Sequence, residues 1–394
     1  MAIRLNANHT LYASYLGYVT QAIVNNFAPL LFLTFQSEFQ IPLSQVTLLV
    51  TINFGLQLVV DLVSAKFVDR IGYRTCVVAA HFCAAAGLVG MAVLPQIMPP
   101  YWGLLTAIVL YAVGGGLIEV LISPIVEACP TQRKAAAMSL LHSFYCWGHV
   151  FVVLFSTAFF ALFGIANWRA LALIWALLPF ANAFYFARVP IAQLNGEGEG
   201  MPLRRLLSMK VFWVFMLLML CAGASEQAMS QWASAFAESG LKVNKTVGDL
   251  AGPCMFAALM GLSRLFYARY SERVSLKGFM AGSGCLCIAS YLLAAFSPQP
   301  LLALVGCALC GLSVGILWPG TFSLAAKRCP TGGTAMFALF ALAGDLGCSS
   351  GPTVVGLVAG AAGGLKSGLI AALAFPALLL AGLWLLRRLN REGQ

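Results

Sequence analysis

Apolar stretches of about 20 residues follow one another along almost the whole of this sequence. A helix of that length crosses the hydrocarbon core of a bilayer, which is about 30 Å thick. Strands of a membrane barrel would alternate polar and apolar residues over about ten positions, and these runs do not alternate. The sequence therefore predicts an all-α integral membrane protein with about twelve transmembrane helices, over residues 12–35, 45–66, 74–98, 102–126, 134–164, 167–188, 211–238, 247–270, 276–297, 301–325, 333–360 and 366–388.

The positive charges lie mainly on one side of these predicted helices. Of the 23 Lys and Arg residues, 18 fall on the side of the two termini, 4 on the other side, and one, Arg264, within a span. The positive-inside rule then predicts that both termini are cytoplasmic. Because topology accounts for the net charge of +10 and the loops are short, the sequence predicts neither nucleic-acid binding nor a soluble domain.

The sequence also divides into two similar halves. The longest polar segment lies near the middle, so we expect one six-helix bundle at residues 1–189, a cytoplasmic linker at 190–210 and a second bundle at 211–394. Cys129-Pro130-Thr131 follows the fourth predicted helix as Cys329-Pro330-Thr331 follows the tenth. The two bundles are therefore expected to be parallel repeats of one plan.

The loop after the second predicted helix carries a motif. Its residues, Ala65-Lys-Phe-Val-Asp69-Arg70-Ile-Gly72-Tyr-Arg74, resemble the Gly-x-x-x-Asp-Arg-x-Gly-Arg-Arg loop of the major facilitator superfamily. With the two halves, the resemblance implies the major facilitator fold, in which pseudo-symmetric bundles hold a substrate site near the middle of the membrane. It also implies that Asp69, Arg70 and Arg74 act as a gate at the cytoplasmic face.

Other stretches resemble the fucose-permease-like branch of that superfamily, whose members include sugar:proton symporters. Gly116-Leu-Ile-Glu119-Val-Leu-Ile-Ser123-Pro124 is similar to the branch's Gly-x-x-Glu-x-x-x-Asn-Pro, and Trp318-Pro319 begins a stretch similar to Phe-Pro-Thr-Ile-Phe-Ser-Leu. Glu226 and Trp232 have the spacing of a Glu-x5-Trp pattern found in some members.

The first predicted helix departs from the branch. Asn25 and Asn26 resemble the branch's Asn-Asn stretch before Pro-Leu-Leu, but Ala28 stands where fucose permease has an acidic residue. The sugar specificity and the proton route of fucose permease therefore do not carry over intact. The resemblance implies a multi-pass protein of a bacterial cytoplasmic membrane, with Asn25 and Asn26 in the substrate site.

Glu119 is the first functional candidate among the residues themselves. It lies about 11 residues inside the helix end marked by Cys129-Pro130, and hence roughly 16 Å deep. An acid at that depth is costly and persists mainly where an aqueous path, an ion or a substrate requires it. We expect Glu119, together with Glu226 near the middle of the seventh helix, to bind substrate and to carry protons.

Aromatic and histidine side chains offer further contacts with a solute. His142, Tyr145 and His149 share one face of the fifth predicted helix, so we expect them to line a common volume, with hydrogen bonds to a neighbouring helix as the alternative. Trp232 and Trp318 present flat faces suited to a sugar ring or a cation, with simple packing as the alternative.

Two opposite charges occupy equivalent places in the halves. Aligning Asp69-Arg70 with Glu272-Arg273 makes Asp61 and Arg264 counterparts. The helix packing of the superfamily that the chain resembles implies that Arg264 contacts groups on the fifth helix and Asp61 contacts the eleventh. Arg264 is alternatively expected to bind a substrate anion, since its planar fork can hold a carboxylate by two bonds. Asp345 on the eleventh helix is expected to be either a gating residue with Asp61 or a cavity residue, and His81 is expected to be peripheral.

The favoured hypothesis is a secondary transporter of a sugar or related polyol, coupled to protons and working by alternating access. The alternatives are a carrier of organic carboxylates that uses Arg264, sodium coupling, and an exporter of apolar or cationic compounds. No His-Glu-x-x-His pattern occurs, and Cys307 and Cys310, although spaced as Cys-x-x-Cys, lie within a predicted span, where they are expected to be reduced packing residues. We therefore expect no enzymatic activity, metal or cofactor. The expected partners are the solute, the coupling ion and the lipid bilayer, and we expect a monomer.

Overall fold

The computed structural model describes residues 6–130, 134–191, 203–270, 273–329 and 333–392. These residues form helices and connecting turns, with no strand among them, which confirms the all-α prediction. Eleven helices within the described residues are long and apolar enough to cross a membrane, and a further helix of 30 residues, Gly333–Ala362, matches the predicted span 333–360. Residues 192–202 of the predicted linker lie outside the described residues.

The transmembrane helices are numbered in chain order. Their bounds are Ala7–Phe39 (α1), Leu43–Ile71 (α2), Tyr73–Ile97 (α3), Pro100–Ala128 (α4), Lys134–Phe163 (α5), Trp168–Arg188 (α6), 210–240 (α7), 245–270 (α8), Leu276–Phe296 (α9), 300–328 (α10), Gly333–Ala362 (α11) and 365–392 (α12). A short helix, Leu203–Ser208, precedes α7.

The predicted spans were continuous, but several of the observed helices are interrupted. Helix α1 leaves regular geometry at Phe27 and continues through a 3-10 turn, Ala28–Leu31. Helix α7 is broken after Ser230, and α10 is broken between Val314 and Leu317. Proline explains the breaks in α1 and α10, because Pro29 and Pro319 lack the N–H that would bond the carbonyl four residues earlier. No proline accounts for the break in α7.

The described residues divide into two compact units, Met1–Asn195 and Gly196–Gln394. Within the first unit, α1 packs on α4, α5 and α6, α3 packs on α4 and α6, and α2 packs on α4. Within the second unit, α7 packs on α10, α11 and α12, α9 packs on α10 and α12, and α8 packs on α10. Each pairing in one unit has its counterpart six helices later, so the two units repeat one packing plan.

Glycine allows the closest of these contacts. A Cβ atom added at Gly114 on α4 would lie 2.5 Å from the Ala80 carbonyl oxygen of α3, and one at Gly347 on α11 would overlap the Leu220 carbonyl of α7. Small residues at such crossings let helix backbones approach, which is a main source of helix association in membranes.

Candidate functional site

A chain of buried side-chain amides reaches Glu119 in the first unit. Gln21 on α1 donates through Nε2 to Oε2 of Glu119 on α4 at 3.1 Å and to Oε1 of Gln57 on α2 at 2.9 Å. Gln57 in turn donates through Nε2 to Oδ1 of Asn25 at 2.9 Å and to Oδ1 of Asn53 at 3.0 Å. The chain therefore connects three helices at the carboxylate predicted to carry protons.

The packing of α4 leaves room for this amide chain. A Cβ atom at Gly115 would lie 3.0 Å from Oε1 of Gln21 and 3.4 Å from Cδ of Gln57, tighter than most side-chain contacts. Gln21 and Gln57 are each only 3% exposed, so water does not compete for most of their hydrogen bonds. Glu119 itself is partly exposed, at one end of the chain.

The sequence interpretation missed Gln21, Asn53 and Gln57, because it searched the spans for ionisable groups. A signal was present: Gln21 and Asn25 are four residues apart, as are Asn53 and Gln57, so each pair lies on one helix face. Amides are uncommon in apolar spans, and two such pairs on consecutive helices predict a contact between them.

The predicted stripe on α5 meets α1, but its three members have different surroundings. His142 is exposed and packs edge-to-face on Tyr18, whose hydroxyl lies 3.1 Å from Oγ of Ser123 on α4. Tyr145 is half-buried, and its hydroxyl accepts a long hydrogen bond of 3.5 Å from Asn26. His149 is buried, with 2% exposure, beside the glycine contact of α5 with α1.

In the second unit, Arg264 on α8 meets the break in α10. Its Nε donates to the Gly315 carbonyl at 3.1 Å. This is the carbonyl that Pro319 leaves without its usual helical donor, since Pro319 is four residues further on and has no N–H. The Trp318-Pro319 motif thus creates an acceptor inside the membrane span, and Arg264 satisfies it.

Arg264 also lies beside the buried carboxylate of α7. Its Nη2 is 3.8 Å from Oε2 of Glu226, and Gln227 donates to the other carboxylate oxygen at 3.2 Å. Gln231, one turn further along α7, donates to Oε1 of Gln227 at 3.0 Å. The ion pair keeps a cation and an anion electrically balanced within the membrane span, which reduces the cost of burying either.

The two predicted tryptophans differ in accessibility. The Trp232 side chain is 0% exposed, and its indole N–H donates to the Pro352 carbonyl of α11 at 2.9 Å, so it packs α7 on α11 and presents no surface to a ligand in this conformation. Trp318 is half-buried, with its ring against Gly344 of α11. Asp345, the next residue on α11, is buried.

The residues proposed for the cytoplasmic gate are only partly described. Arg74 donates through Nη1 to the carbonyls of Phe186 and Ala187, at 3.1 and 2.8 Å, and so caps the end of α6 with a positive charge. Arg70 is exposed and Asp61 is partly exposed. The side chain of Asp69, and the whole of Glu272, lie outside the described residues.

The expectation that His81 is peripheral is wrong. Its side chain is fully buried, with Nδ1 donating to the Val77 carbonyl at 2.7 Å and Nε2 accepting from Asn182 at 2.9 Å. Asn182 also donates to the Ala13 carbonyl at 3.0 Å. This polar cluster joins α1, α3 and α6, and its neutral imidazole has both nitrogens engaged.

Residues 14–352 match the sequence profile of the Major Facilitator Superfamily. The chain belongs to the Major Facilitator Superfamily. Its all-α fold of twelve transmembrane helices in two six-helix bundles is the major facilitator fold, and members of this superfamily are transporters.

Solved structures of other superfamily members are similar over nearly the whole chain. A bacterial homologue of the human lysosomal transporter Spinster, inward-facing and occupied, covers 97% of both chains with 16% identity and a TM-score of 0.78. The fucose:proton symporter FucP of E. coli covers 95% of this chain and 98% of its own, with 16% identity and a TM-score of 0.65. At these identities the likeness shows the fold alone.

A curated relative has a closer sequence. Membrane protein MosC of Rhizobium meliloti is 26% identical over 261 residues, which are 66% of this chain and 62% of MosC. The chain thus matches less than two thirds of that relative's length. Among the described residues of this superfamily member, no three His, Cys, Asp or Glu side chains come together in a way that could hold a metal ion.

Proposed function

We propose that this chain is a proton-coupled symporter of a small polar organic solute, a sugar or related polyol, that works by alternating access. The observation that carries the proposal is the amide chain from Asn53 and Asn25 through Gln57 and Gln21 to Glu119. Side-chain amides both donate and accept, as the hydroxyl groups of a polyol do. Because Gln21 and Gln57 give their own hydrogens to the chain, a solute would meet the chain at Glu119, its partly exposed end. Buried amides are costly in a membrane, and holding this acid for a polar ligand is a physical reason for keeping them there.

Proton coupling in this proposal depends on Glu119. The protonated acid is neutral and tolerates exclusion from water, whereas the ionised acid must be solvated or paired. Solute binding and protonation are linked if the solute favours one of these two states over the other. Glu226, which is paired with Arg264, is the second candidate for a coupled proton.

Uptake into proteoliposomes tests the proposal. A panel of labelled sugars and polyols is offered with an inward pH gradient, with no gradient, and with a sodium gradient at constant pH. We expect the pH gradient to accelerate uptake of one solute and Glu119→Gln to remove that acceleration. Equal initial rates with and without the gradient would rule out proton coupling, and uptake driven by sodium alone would identify sodium as the coupling ion.

A carboxylate is the second candidate solute, and the geometry of Arg264 favours it. Its Nε is held by the Gly315 carbonyl, which orients the guanidinium, and the 3.8 Å separation from Glu226 is longer than a direct charged hydrogen bond of about 2.8 Å. A solute carboxylate could therefore replace Glu226 as the counter-ion once Glu226 is protonated. Arg264 and the solute would then form a pair with no net charge.

A ligand screen separates the two candidates. Thermal stability in detergent is measured with sugars, polyols and carboxylates, because a ligand raises stability only if it binds the folded state. Stabilisation by carboxylates that Arg264→Lys weakens and Arg264→Met abolishes favours the anion candidate. Stabilisation by polyols that survives Arg264→Met favours the first candidate.

We further propose that Asp69, Arg70 and Arg74 form a cytoplasmic gate with Asp61 and Asp345. The support is the motif resemblance and the position of Arg74, which holds the end of α6 beside that loop. This assignment requires cytoplasmic termini, which reporter fusions at residue 394 would test. Reporter activity on the outer side would reject the orientation and with it the gate.

A further inference from the structure

The hydrogens of two amide groups in the first unit are fully committed. An amide NH₂ group has two hydrogens to donate. Those of Gln21 go to Glu119 and Gln57, and those of Gln57 go to Asn25 and Asn53. Each acceptor is an oxygen, so the whole chain has one direction, with donors oriented by the carboxylate at one end.

An ionised Glu119 imposes this direction. A carboxylate only accepts hydrogen bonds, so Gln21 must turn its NH₂ group toward it. Gln57 must then present its oxygen to Gln21 and its NH₂ group to Asn25 and Asn53. A proton on Glu119 supplies an O–H donor, which allows Gln21 to present its oxygen instead and removes the constraint on Gln57.

The far end of the chain lies at the break in α1. Asn25 comes one position before the last residue of the regular helix, and its backbone carbonyl receives no helical N–H from Pro29. The side-chain oxygen of Asn25 is the group that Gln57 holds at 2.9 Å. Turning Gln57 around would place oxygen against oxygen there, so the Asn25 side chain has to turn or shift, at the point where α1 is already interrupted.

We propose that Gln21 and Gln57 are positioning residues that transmit the protonation of Glu119 to the break in α1. Protonation of Glu119 then changes the conformational freedom of the backbone over residues 28–39, the segment of α1 beyond the break. This inference rests on the proposed function only in taking Glu119 as a protonated site.

Other titratable groups lie on the helices packed against α4. They include Tyr15 and Tyr18 on α1, Asp61 on α2, His81 on α3, and His142, Tyr145 and His149 on α5. His81 is enclosed by Val77 and Asn182, and Tyr18 bonds Ser123, so neither belongs to the amide chain. Because Asp61 and His142 can also titrate, the test must report the proton on Glu119 separately.

The experiment combines two measurements on the full chain in phosphatidylcholine–phosphatidylglycerol nanodiscs across a pH series. Dicyclohexylcarbodiimide, which modifies protonated carboxyl groups, reports the occupancy of Glu119 by mass spectrometry. Hydrogen–deuterium exchange of peptides covering residues 28–39, corrected for the intrinsic pH dependence of exchange, reports how often the backbone of that segment opens. We expect exchange to change about tenfold as Glu119 protonates, because a charge-assisted hydrogen bond is roughly twice as strong as a neutral one.

The variants isolate the amide chain from the acid. In Gln57→Met, Glu119 should still titrate while exchange of residues 28–39 loses its pH dependence, and Glu119→Gln should give one exchange rate at every pH. Gln21→Met is a second interruption should Gln57→Met fail to fold. Gln96→Met is the matched control, since the Gln96 amide bonds only the Ala92 carbonyl of its own helix among the contacts described for it.

The outcomes separate the two proposals. If exchange of residues 28–39 remains pH-dependent in Gln57→Met or Gln21→Met, the proposed route through these two amides is overturned. Proton coupling at Glu119 would then remain intact. A Glu119 that shows no pH-dependent modification in the parent overturns both.

Discussion

The ion pair of Arg264 with Glu226 makes a quantitative prediction about stability. At 3.8 Å, two unit charges attract by about 4 kcal/mol at an effective dielectric of about 20, and by about 1 kcal/mol in water. The side chains are 22% and 11% exposed, so the value lies between these limits, and we expect a coupling free energy of about 2–3 kcal/mol. Arg264 also bonds Gly315, which adds about 1.5–3 kcal/mol for a hydrogen bond to a charged group.

A double-mutant cycle measures this coupling. Arg264→Met should cost about 4 kcal/mol and Glu226→Gln about 2–3 kcal/mol, while the double variant should cost little more than Arg264→Met, because the charge that either single change strands is gone. Arg264→Lys keeps the charge but loses the planar Nε donor, so it should cost about as much as the Gly315 bond alone.

Equilibrium unfolding in mixed micelles, followed by tryptophan fluorescence, gives the four free energies of unfolding. Single-variant costs that add to the double-variant cost within about 0.5 kcal/mol would show that the two side chains do not interact. That result would also remove the basis for exchange of Glu226 by a solute carboxylate.

Three further predictions follow from close contacts and burial. Gly347→Ala should cost about 1–3 kcal/mol of unfolding free energy in the same micelles, because its Cβ would overlap the Leu220 carbonyl. Gly360→Ala is the control and should not destabilise, since the space around Gly360 is open. Equal effects of the two changes would contradict the packing of α7 on α11. Trp232→Phe should cost about 1–2 kcal/mol, because the buried indole bond to Pro352 is lost, and a cost matching that of Trp384→Phe at an exposed position would refute this. Cys129 and Cys329 should react slowly with iodoacetamide at neutral pH and faster as pH rises, because burial raises the pKa of both thiols and only the thiolate reacts; rates independent of pH in timed mass spectrometry would oppose this.

Most of the helix positions could be predicted because their cause is local. A run such as 276–297 is apolar over the length that a bilayer requires, and the helix found there is Leu276–Phe296. The breaks were harder to predict. Pro29 and Pro319 were visible warnings for α1 and α10. No such residue marks the break after Ser230 in α7, which lies beside the buried Trp232 and its bond to Pro352 of α11.

The candidate site was predictable only in part. Depth along a helix identified Glu119 and Glu226, since each turn of helix adds a known rise. Depth does not say which helices are neighbours, so it could not pair Gln21 with Gln57 across 36 residues or Arg264 with Gly315 across 51. For the first pair, only the four-residue spacing of the amides on each helix pointed to a contact. Likewise, the sequence around His81 or Trp232 does not show whether the side chain faces a cavity or a neighbouring helix.

The sequence alone determined that this protein lies in a membrane, that it has two related halves, and that charges and amides occur at depths where they are costly. Those properties follow from the length, hydropathy and periodicity of single segments, which the bilayer imposes one helix at a time. The tertiary structure decided the partner of each polar group, because partners come from helices far apart in the chain that meet only when glycine contacts and helix breaks let them pack. The direction of the amide chain from Glu119 and the placement of Arg264 at the carbonyl freed by Pro319 are consequences of that packing.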